Sequence, residues 1–176
     1  EGDFTIYNTG PAFGAQFLVF NQNKGINPET KKPYVEKHKL NWFRNLKFRE
    51  AVACAIDKQS IINIVMNGLG FPQNSSLSPS AGFFYNQEVK AYEYNIDKAK
   101  ALLKEIGIYD RNGNGLAEDS RNNPIKFNLF TNANNTVRIK IANLIVKDLT
   151  RLGFQVNFLP LEFNQLVAKL DATFDW

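Results

Sequence analysis

The sequence predicts an α/β protein with a mixed sheet, in which a βαβ unit is flanked by helices. Residues 125–131 and 154–159 alternate between apolar and polar side chains, as strands do, and residues 136–152 between them carry an apolar helical face. Because the joints are short, the two strands should be parallel and joined by a right-handed crossover. Helical patterns upstream of this unit supply the flanking layer.

The composition is that of a globular domain with one core. Of 176 residues, 44% are apolar and 22% are charged, which is an ordinary balance for such a domain. The 15 Phe predict a core rich in aromatic rings. No apolar run reaches the roughly 18–20 residues of a membrane span. No signal peptide is visible at Glu1, so an export signal would lie outside this chain.

The charged and reactive residues exclude several classes of function. The densest basic stretch, residues 31–39, contains Glu36, and we interpret it as a solvated loop because nucleic-acid binding needs a basic stripe with stacking aromatics. Cys54 is the only cysteine, which excludes an internal disulfide and a Cys-based metal cluster. It lies in an apolar helical pattern and should be a packing residue, whereas His38 lies among lysines. We therefore predict no enzyme activity, no cofactor and no nucleic-acid partner.

Before the βαβ unit, the sequence predicts two strands, a long loop and three helices. Residues 4–7 and 16–20 read as strands separated by a Gly-Pro turn signal, and residues 22–41 as a long polar loop. The next helix carries its apolar face on Phe48, Val52, Ala55 and Ile56. Two further helices have clear capping residues. Asp57 caps a helix over residues 58–67, which Gly68 ends, and Asn95 caps a second helix, which Gly107 ends.

Two irregular regions complete the chain. Residues 69–92 form a loop in which Phe83, Phe84 and Tyr85 either pack onto the domain, which we favour, or contact a ligand. After the βαβ unit, a short helix at about 164–170 leads to residues 173–176, which look like the start of another strand.

The stretch DRNGNGLAED, residues 110–119, is similar to the opening of a calcium loop, with Gly115 at the sharp-turn position. An EF-hand requires Glu at the twelfth position, where this chain has Arg121, and a strand follows instead of a helix. Asp and Asn also bond to their own backbone, which makes the stretch a strong turn without metal. We favour the turn and keep a calcium site as the alternative, with the candidate ligands Asp110, Asn112, Asn114 and Glu118.

Several segments, in this order, resemble one family. FLVFN (17–21) is similar to a strand ending in Phe-Asn, FREAVACAIDKQSII (48–62) to a pattern of Arg-x-Ala and then Ala-Ile-Asp, and YNIDKAKALLKEIG (94–107) to a helix with a Leu-Leu pair. KDLTRLGFQVNF (147–158), followed by TFDW, is similar to the stretch that closes with an aromatic-Asp pair. The family is that of the extracytoplasmic solute-binding proteins of peptide, oligopeptide and nickel ABC importers, family 5.

The resemblance implies a single lobe of a two-lobed periplasmic-binding-protein type II fold. Residues 1–14 would be the end of the first lobe with the crossing segment, and residues 15–176 the C-terminal, second lobe, so we expect an excised fragment of a longer protein. The implied function is peptide binding for ABC-type import. The implied partners are a peptide, the missing N-terminal lobe and ABC permease subunits, in a periplasmic or otherwise extracytoplasmic location where a lipid anchor is left open.

The resemblance also indicates ligand-binding residues. Phe163 matches a position where many members carry Trp, and it would form an aromatic wall or else lie in the core. Asn132 and Asn134 lie after a parallel strand, where α/β sheets bind ligands, but they could instead cap the following helix. Arg138 could meet a carboxylate or simply be solvated, and Asn21, on the hinge strand, is the fifth candidate.

Other functions stay open on the same scaffold. Relatives bind nickel chelates, sugars and other solutes, and a sensor or chaperone lobe can share the fold, because fold does not fix the ligand. The isolated lobe should hold almost no affinity for peptides, since half of the contacts and the closure of the cleft are missing.

Overall fold

The computed structural model describes residues 3, 5, 7 and 10–176. In this part of the chain the elements follow in the order α1 (Lys37–Arg44), α2 (Leu46–Ala55), α3 (Lys58–Val65), α4 (Ile96–Glu105), β1 (Lys126–Asn132), α5 (Thr136–Thr150), β2 (Gln155–Leu161) and α6 (Phe163–Ala168). A 3-10 helix at Pro79–Phe84 lies between α3 and α4, and a π-helical turn at Lys169–Thr173 follows α6.

Polar side chains start the helices where the sequence predicted. Asp57 caps α3, because its carboxylate accepts hydrogen bonds from the backbone N–H and the hydroxyl of Ser60 at 2.9 and 2.7 Å. Asn95 caps α4 by accepting from the N–H of Lys98 at 2.8 Å. The sequence analysis did not identify the cap of α2, which is Asn45. These caps satisfy backbone N–H groups that have no partner inside the helix.

The predicted βαβ unit is confirmed. Strands β1 and β2 are parallel, and their register runs from Lys126 opposite Gln155 to Asn132 opposite Leu161. Helix α5 connects the strands and packs against both. Among the described residues the sheet consists of these two strands, and antiparallel pairing is limited to isolated bridges. The carboxyl ends of both strands therefore lie at one edge of the sheet.

The core is built from aromatic rings, as the phenylalanine content predicted. Phe48 stacks on Phe154 with 5.5 Å between ring centroids, and Phe43 meets Phe127 edge-on at 5.6 Å. Phe20 joins from the N-terminal segment, with its centroid 5.0 Å from that of Phe43. Aromatic pairs of this geometry add about 0.5–1.5 kcal/mol each beyond the burial of their area. One cluster thus joins α1, α2 and the amino ends of the two strands.

Two buried positions carry side chains with a reactive or ionisable group, a thiol at Cys54 and a carboxyl at Asp148. Cys54 is fully buried with a free thiol, which confirms the predicted packing role. Asp148, on the inner face of α5, is buried although the apolar pattern did not include it. Its Oδ2 accepts the backbone N–H of Asp57 at 3.0 Å, which ties the start of α3 to α5. Burial raises the pKa of the Asp148 carboxyl, and the nearby charge of Asp57 also raises it.

The strand prediction for residues 16–20 is wrong, because this segment joins no ladder in the described part of the chain. The predicted strand at 4–7 lies outside the described residues apart from Thr5 and Tyr7. Residues 16–20 nevertheless keep the side-chain alternation of a strand, since Leu18 and Phe20 pack on the core while the side chains between them are exposed. The apolar pattern therefore predicted the direction of the side chains and not the backbone pairing.

Predictions at two other places need correction. The loop predicted for 22–41 ends early, because α1 begins at Lys37 and buries Trp42 and Phe43. The strand predicted to start at 173–176 is absent, because Thr173 ends a π-helical turn and Phe174 has a left-handed φ of 53°.

The loop at 69–92 is irregular apart from its 3-10 helix, as predicted. Phe83 and Phe84 do not pack onto the domain, since they are 96% and 74% exposed, whereas Tyr85 is half-buried and Tyr92 packs against the core. The favoured packing interpretation is therefore wrong for Phe83 and Phe84.

Candidate functional site

Four of the five predicted ligand-binding residues follow the carboxyl ends of β1 and β2. Asn132 is the last residue of β1, Asn134 lies in the next turn, Arg138 lies in the first turn of α5, and Phe163 opens α6 directly after β2. The backbone N–H of Ala133 donates to the carbonyl of Leu161 at 2.7 Å, which holds the two loops side by side. We call the side chains of Asn132, Asn134, Arg138 and Phe163 the carboxyl edge.

The asparagines of the first loop have three different roles. Asn135 caps α5, since its Oδ1 accepts the N–H of Arg138 at 2.9 Å. Asn132 shapes the turn, since its Oδ1 accepts the N–H of Asn134 at 2.9 Å. The side chain of Asn134 is exposed and has no partner among the described residues. Its amide, with two donors and an acceptor, is therefore available to a ligand.

Arg138 is half-buried and is held by a residue that sequence reasoning missed. Its Nε donates to Oε1 of Gln16 at 3.2 Å, across 122 positions of the chain. Within the described residues no carboxylate lies within ion-pair distance of Arg138, and its two terminal nitrogens have no partner. The sequence offered no signal for Gln16 beyond its place at the head of the QFLVF run.

Phe163 does not belong to the core. Its side chain is 50% exposed, and the preceding Glu162 caps α6 by accepting from the N–H of Asn164 at 2.7 Å. Helix α6 also packs against β1. A half-exposed ring on a loop next to the one that carries Asn134 offers a ligand an apolar surface together with hydrogen-bonding groups, which is the usual make-up of a binding site.

The structure does not bring Asn21 to the carboxyl edge. Asn21 is 4% exposed, and its Nδ2 donates to the carbonyls of Phe174 and Trp176 at 3.0 and 2.7 Å. Its Oδ1 accepts the N–H of Asn23 at 3.0 Å. All the hydrogen-bonding groups of this amide are engaged within the chain, so Asn21 fastens residues 174–176 to the N-terminal segment.

The loop at 110–119 uses its oxygens on its own backbone. The Asp110 carboxylate accepts from the N–H groups of Gly113 and Gly115 at 2.8 and 2.7 Å. These hydrogen bonds, that of Gly115 foremost, hold the pKa of Asp110 below its ordinary value. Asn112 and Asn114 each accept from the N–H two residues ahead, at 3.0 and 2.8 Å. The favoured turn is what the structure shows.

A calcium ion in this loop would compete with the backbone N–H groups for the oxygens of Asp110, Asn112 and Asn114. Glu118 contributes backbone bridges to Tyr109 and Pro124. In the part of the chain that the structure describes, no three His, Cys, Asp or Glu side chains are grouped to hold a metal ion.

The residues that directly follow this loop are fixed by the carboxylate of Asp119. Asp119 accepts from Nε1 of Trp42 at 3.0 Å, from the side chain and backbone of Asn123, and from the N–H of Arg121. Burial acts to raise the pKa of Asp119, and these hydrogen bonds outweigh it, so the pKa lies below its ordinary value.

Two small cavities lie away from the carboxyl edge. One, of about 180 Å³, is lined by residues that include His38, Trp42 and Asp119. The other, of about 160 Å³, lies between α3 and α5 beside Asp57 and Asp148. Neither is lined by a residue of the carboxyl edge. Both are smaller than the roughly 300–1,000 Å³ of a typical ligand pocket.

Comparison with known proteins gives a consistent picture. The model of the bacterial extracellular solute-binding proteins, family 5 Middle, matches residues 2–176. The oligopeptide-binding protein AppA of Bacillus subtilis is 34% identical over 97% of this chain and 32% of its own length. A probable ABC transporter-binding protein of Deinococcus radiodurans is 28% identical over 95% of this chain and 26% of its own length. The chain thus spans about a quarter to a third of these curated relatives.

Solved structures agree in fold. AppA of Bacillus subtilis in complex with a nonapeptide superposes with a TM-score of 0.71 and 32% identity, over 75% of this chain and 26% of that one. The periplasmic binding protein MelB of Agrobacterium fabrum in complex with stachyose gives a TM-score of 0.68 and 26% identity, over 88% of this chain and 24% of that one.

Proposed function

The chain belongs to family 5 of the bacterial extracellular solute-binding proteins, and from this premise we propose that it supplies one lobe of a peptide-binding cleft, with the carboxyl edge as the ligand-facing surface. The fold is a single lobe of a type II periplasmic binding protein. The family consists of solute-binding proteins rather than enzymes, and it is extracytoplasmic. In the described residues no helix is long and apolar enough to cross a membrane.

One observation carries the proposal. At the carboxyl edge, the amide of Asn134 and the terminal nitrogens of Arg138 have no partner among the described residues, although most polar side chains nearby are engaged. The edge also has the half-exposed ring of Phe163. Such a set combines apolar area with hydrogen-bonding groups fixed on strand ends and helix starts, where the backbone is rigid.

The chemistry of binding follows from these groups. The amide of Asn134 can exchange hydrogen bonds with a peptide main chain, which is common to all peptides, and the Nδ2 of Asn132, whose Oδ1 is engaged by the turn, can donate one more. The ring of Phe163 packs against peptide side chains, and water fills the remaining gaps. Arg138 supplies a full positive charge and paired donors for a carboxylate. No covalent bond changes, so the site needs no nucleophile or general base.

A second candidate is a neutral sugar. The MelB structure, which matches 88% of this chain, holds stachyose, and a periplasmic α-galactoside-binding protein is 26% identical over 94% of this chain. Amides and an aromatic ring suit a sugar as well. Arg138 separates the two candidates, because a neutral sugar has no carboxylate to meet its guanidinium.

We further propose that the complete protein holds a second, N-terminal lobe that closes over the ligand, and that it delivers the ligand to ABC permease subunits. The short span of this chain relative to its relatives supports the first statement, and the family supports the second.

The test is ligand binding by the complete protein, measured by calorimetry with a tetrapeptide pool and with stachyose. The variants are Arg138→Met and, as the matched control, Lys140→Met, which removes one positive charge from an exposed position of the same helix. We expect peptide binding that Arg138→Met weakens roughly tenfold or more, since hydrogen bonds to a charged group are strong, while Lys140→Met binds normally. Binding of stachyose alone, unaffected by Arg138→Met, would assign the site to a sugar.

A further inference from the structure

We infer that Gln16 is a positioning residue for the ligand: by holding Nε of Arg138 it presents the two terminal nitrogens as a pair and gives the site a preference for ligands with a free carboxylate. The inference rests on the proposed function. It assigns a role to a residue that lies far from the carboxyl edge in sequence and that neither the motifs nor the composition indicated.

The geometry of the guanidinium sets the direction of recognition. A guanidinium is planar and has five N–H donors, and a carboxylate can meet it either along the Nε side or at the end formed by the two terminal nitrogens. Because Nε of Arg138 donates to Oε1 of Gln16 at 3.2 Å, the Nε side is engaged. The end formed by the terminal nitrogens, which have no partner among the described residues, is the position left for a carboxylate.

The neutrality of Gln16 matters as much as its position. A glutamate here would also orient Arg138, but it would form an ion pair that neutralises the charge offered to the ligand. An amide oxygen accepts the Nε–H bond and leaves the full positive charge on the guanidinium. In the described part of the chain no carboxylate forms an ion pair with Arg138, so a ligand carboxylate would be its first counter-charge.

The backbone that carries Gln16 is fixed on its C-terminal side. Leu18 and Phe20 pack against the core, and the Phe20 centroid lies 5.7 Å from that of Phe48. The next residue, Asn21, donates to two carbonyls of residues 174–176. With these anchors within five residues, the backbone at Gln16 has little freedom to lose when a ligand binds, and such preorganisation favours affinity.

The experiment compares two forms of one probe, a tetrapeptide pool with free C-terminal carboxylates and the same pool with C-terminal carboxamides. The complete protein is titrated with each, and the ratio of the two dissociation constants is the readout. The variants are Gln16→Met, which keeps the length of the side chain and removes the acceptor, Arg138→Met, and the double variant. Gln22→Met is the matched control, since Gln22 also accepts from an arginine, Arg49, at 3.5 Å on the same segment.

We expect Gln16→Met to lower the preference for the carboxylate pool by about two- to tenfold, the range of one hydrogen bond, with binding of the carboxamide pool unchanged. Gln22→Met should keep the wild-type ratio. Because Gln16 acts through Arg138, the double variant should equal Arg138→Met alone. Gln16→Asn, whose shorter amide falls short of Arg138, should behave as Gln16→Met, and Gln16→Glu should lose the preference through its ion pair.

The outcomes separate the inference from the proposed function. If both pools bind and Gln16→Met leaves their ratio unchanged, the peptide function stands and the role of Gln16 is overturned. The same conclusion follows if Gln16→Met lowers the ratio to the same extent in the absence of Arg138. If neither pool binds the complete protein, the proposed peptide function fails, and the inference fails with it.

Discussion

The two loops at opposite ends of the β1–β2 pair are made of the same residue types and use them differently. At the amino end, Asp110, Asn112 and Asn114 give their side-chain oxygens to backbone N–H groups of their own loop. At the carboxyl end, Asn132 and Asn135 do the same. There, however, Asn134 and the terminal nitrogens of Arg138 have no partner among the described residues.

The difference shows why a run of Asp and Asn residues does not by itself predict a binding site. A side-chain oxygen that already accepts a backbone N–H fixes the shape of its loop, and a cation could use it only in competition with that bond. A side chain without such a bond is satisfied by water and can exchange water for a ligand. The amino-end loop thus serves structure, and the carboxyl edge has groups left for recognition.

Gly153 packs closely against the amino-end loop, and its substitution gives the largest expected effect. Gly153 has a φ of +79°, and a Cβ there would lie 2.7 Å from the backbone nitrogen of Ala117 and 2.9 Å from the oxygen of Gly115. We expect Gly153→Ala to lower the free energy of unfolding by about 3 kcal/mol, since strain and a backbone clash add. Urea denaturation of wild type and Gly153→Ala measures this change in the free energy of unfolding.

A matched control isolates the clash. Gly113 has a φ of +78° with nothing within 4 Å of the added Cβ, so Gly113→Ala should cost only about 1 kcal/mol, the strain alone. Equal losses in the two variants would show that the loop moves away from Gly153 without cost and that the close packing does not matter.

The second largest expected effect is the loss of stability caused by removing the carboxylate of Asp119. Asp119→Ala leaves the buried Nε1 of Trp42 without its acceptor, and we expect a loss of about 2 kcal/mol at neutral pH. Asp171→Ala, at an exposed carboxylate, is the control and should be neutral within about 0.5 kcal/mol. Because the pKa of Asp119 is lowered in the folded state, its contribution is present above the ordinary value of 3.8 and is lost as the pH falls through the folded pKa.

Urea denaturation of wild type and Asp119→Ala in a series of buffers below neutral pH tests whether the pKa of Asp119 is lowered in the folded state. The difference between wild type and Asp119→Ala should stay constant above the ordinary carboxyl range and shrink in more acidic buffer. A difference that grew on acidification would contradict a lowered pKa for this carboxylate.

The comparison between the loops is sharpest in a pair of asparagines. We expect Asn114→Ala to lower stability by about 0.5 kcal/mol through its lost turn bond and to leave peptide binding unchanged. Asn134→Ala should be neutral for stability within about 0.5 kcal/mol and weaken peptide binding roughly threefold. Thermal unfolding and calorimetry on both variants test this. If Asn114→Ala weakened peptide binding and Asn134→Ala lowered stability instead, the proposed difference between the two loops would be wrong.

The smallest expected effect is that of calcium on the midpoint of thermal unfolding. Because the oxygens of Asp110, Asn112 and Asn114 are engaged by backbone N–H groups, we expect the same unfolding midpoint in millimolar calcium and in EDTA. A ligand of the native state would raise the midpoint. A rise with calcium that Asp110→Asn abolishes would restore the calcium site that the sequence pattern suggested.

Local signals in the sequence predicted the helices and the βαβ unit well, because each depends on neighbours in the chain. The caps Asp57, Asn95 and the alternation of β1 and β2 are examples. Prediction failed where distant contacts decide. Residues 16–20 have a strand pattern without a ladder in the described part of the chain. Residues 173–176 leave an extended path at Phe174, whose φ is 53°, and Asn21 binds the carbonyls of Phe174 and Trp176. Helix α1 was not predicted, because its lysine-rich sequence is typical of a solvated loop.

The candidate site divides in the same way. The sequence alone determined that Asn132, Asn134 and Arg138 follow one strand and that Phe163 follows its parallel partner, because parallel strands end at the same edge. Only the tertiary structure decided which of these groups stay available, that Asn21 is engaged elsewhere, and that Gln16 holds Arg138. The physical reason is that a hydrogen bond spanning 122 or 153 positions depends on the packing of the whole chain, and no local pattern encodes it.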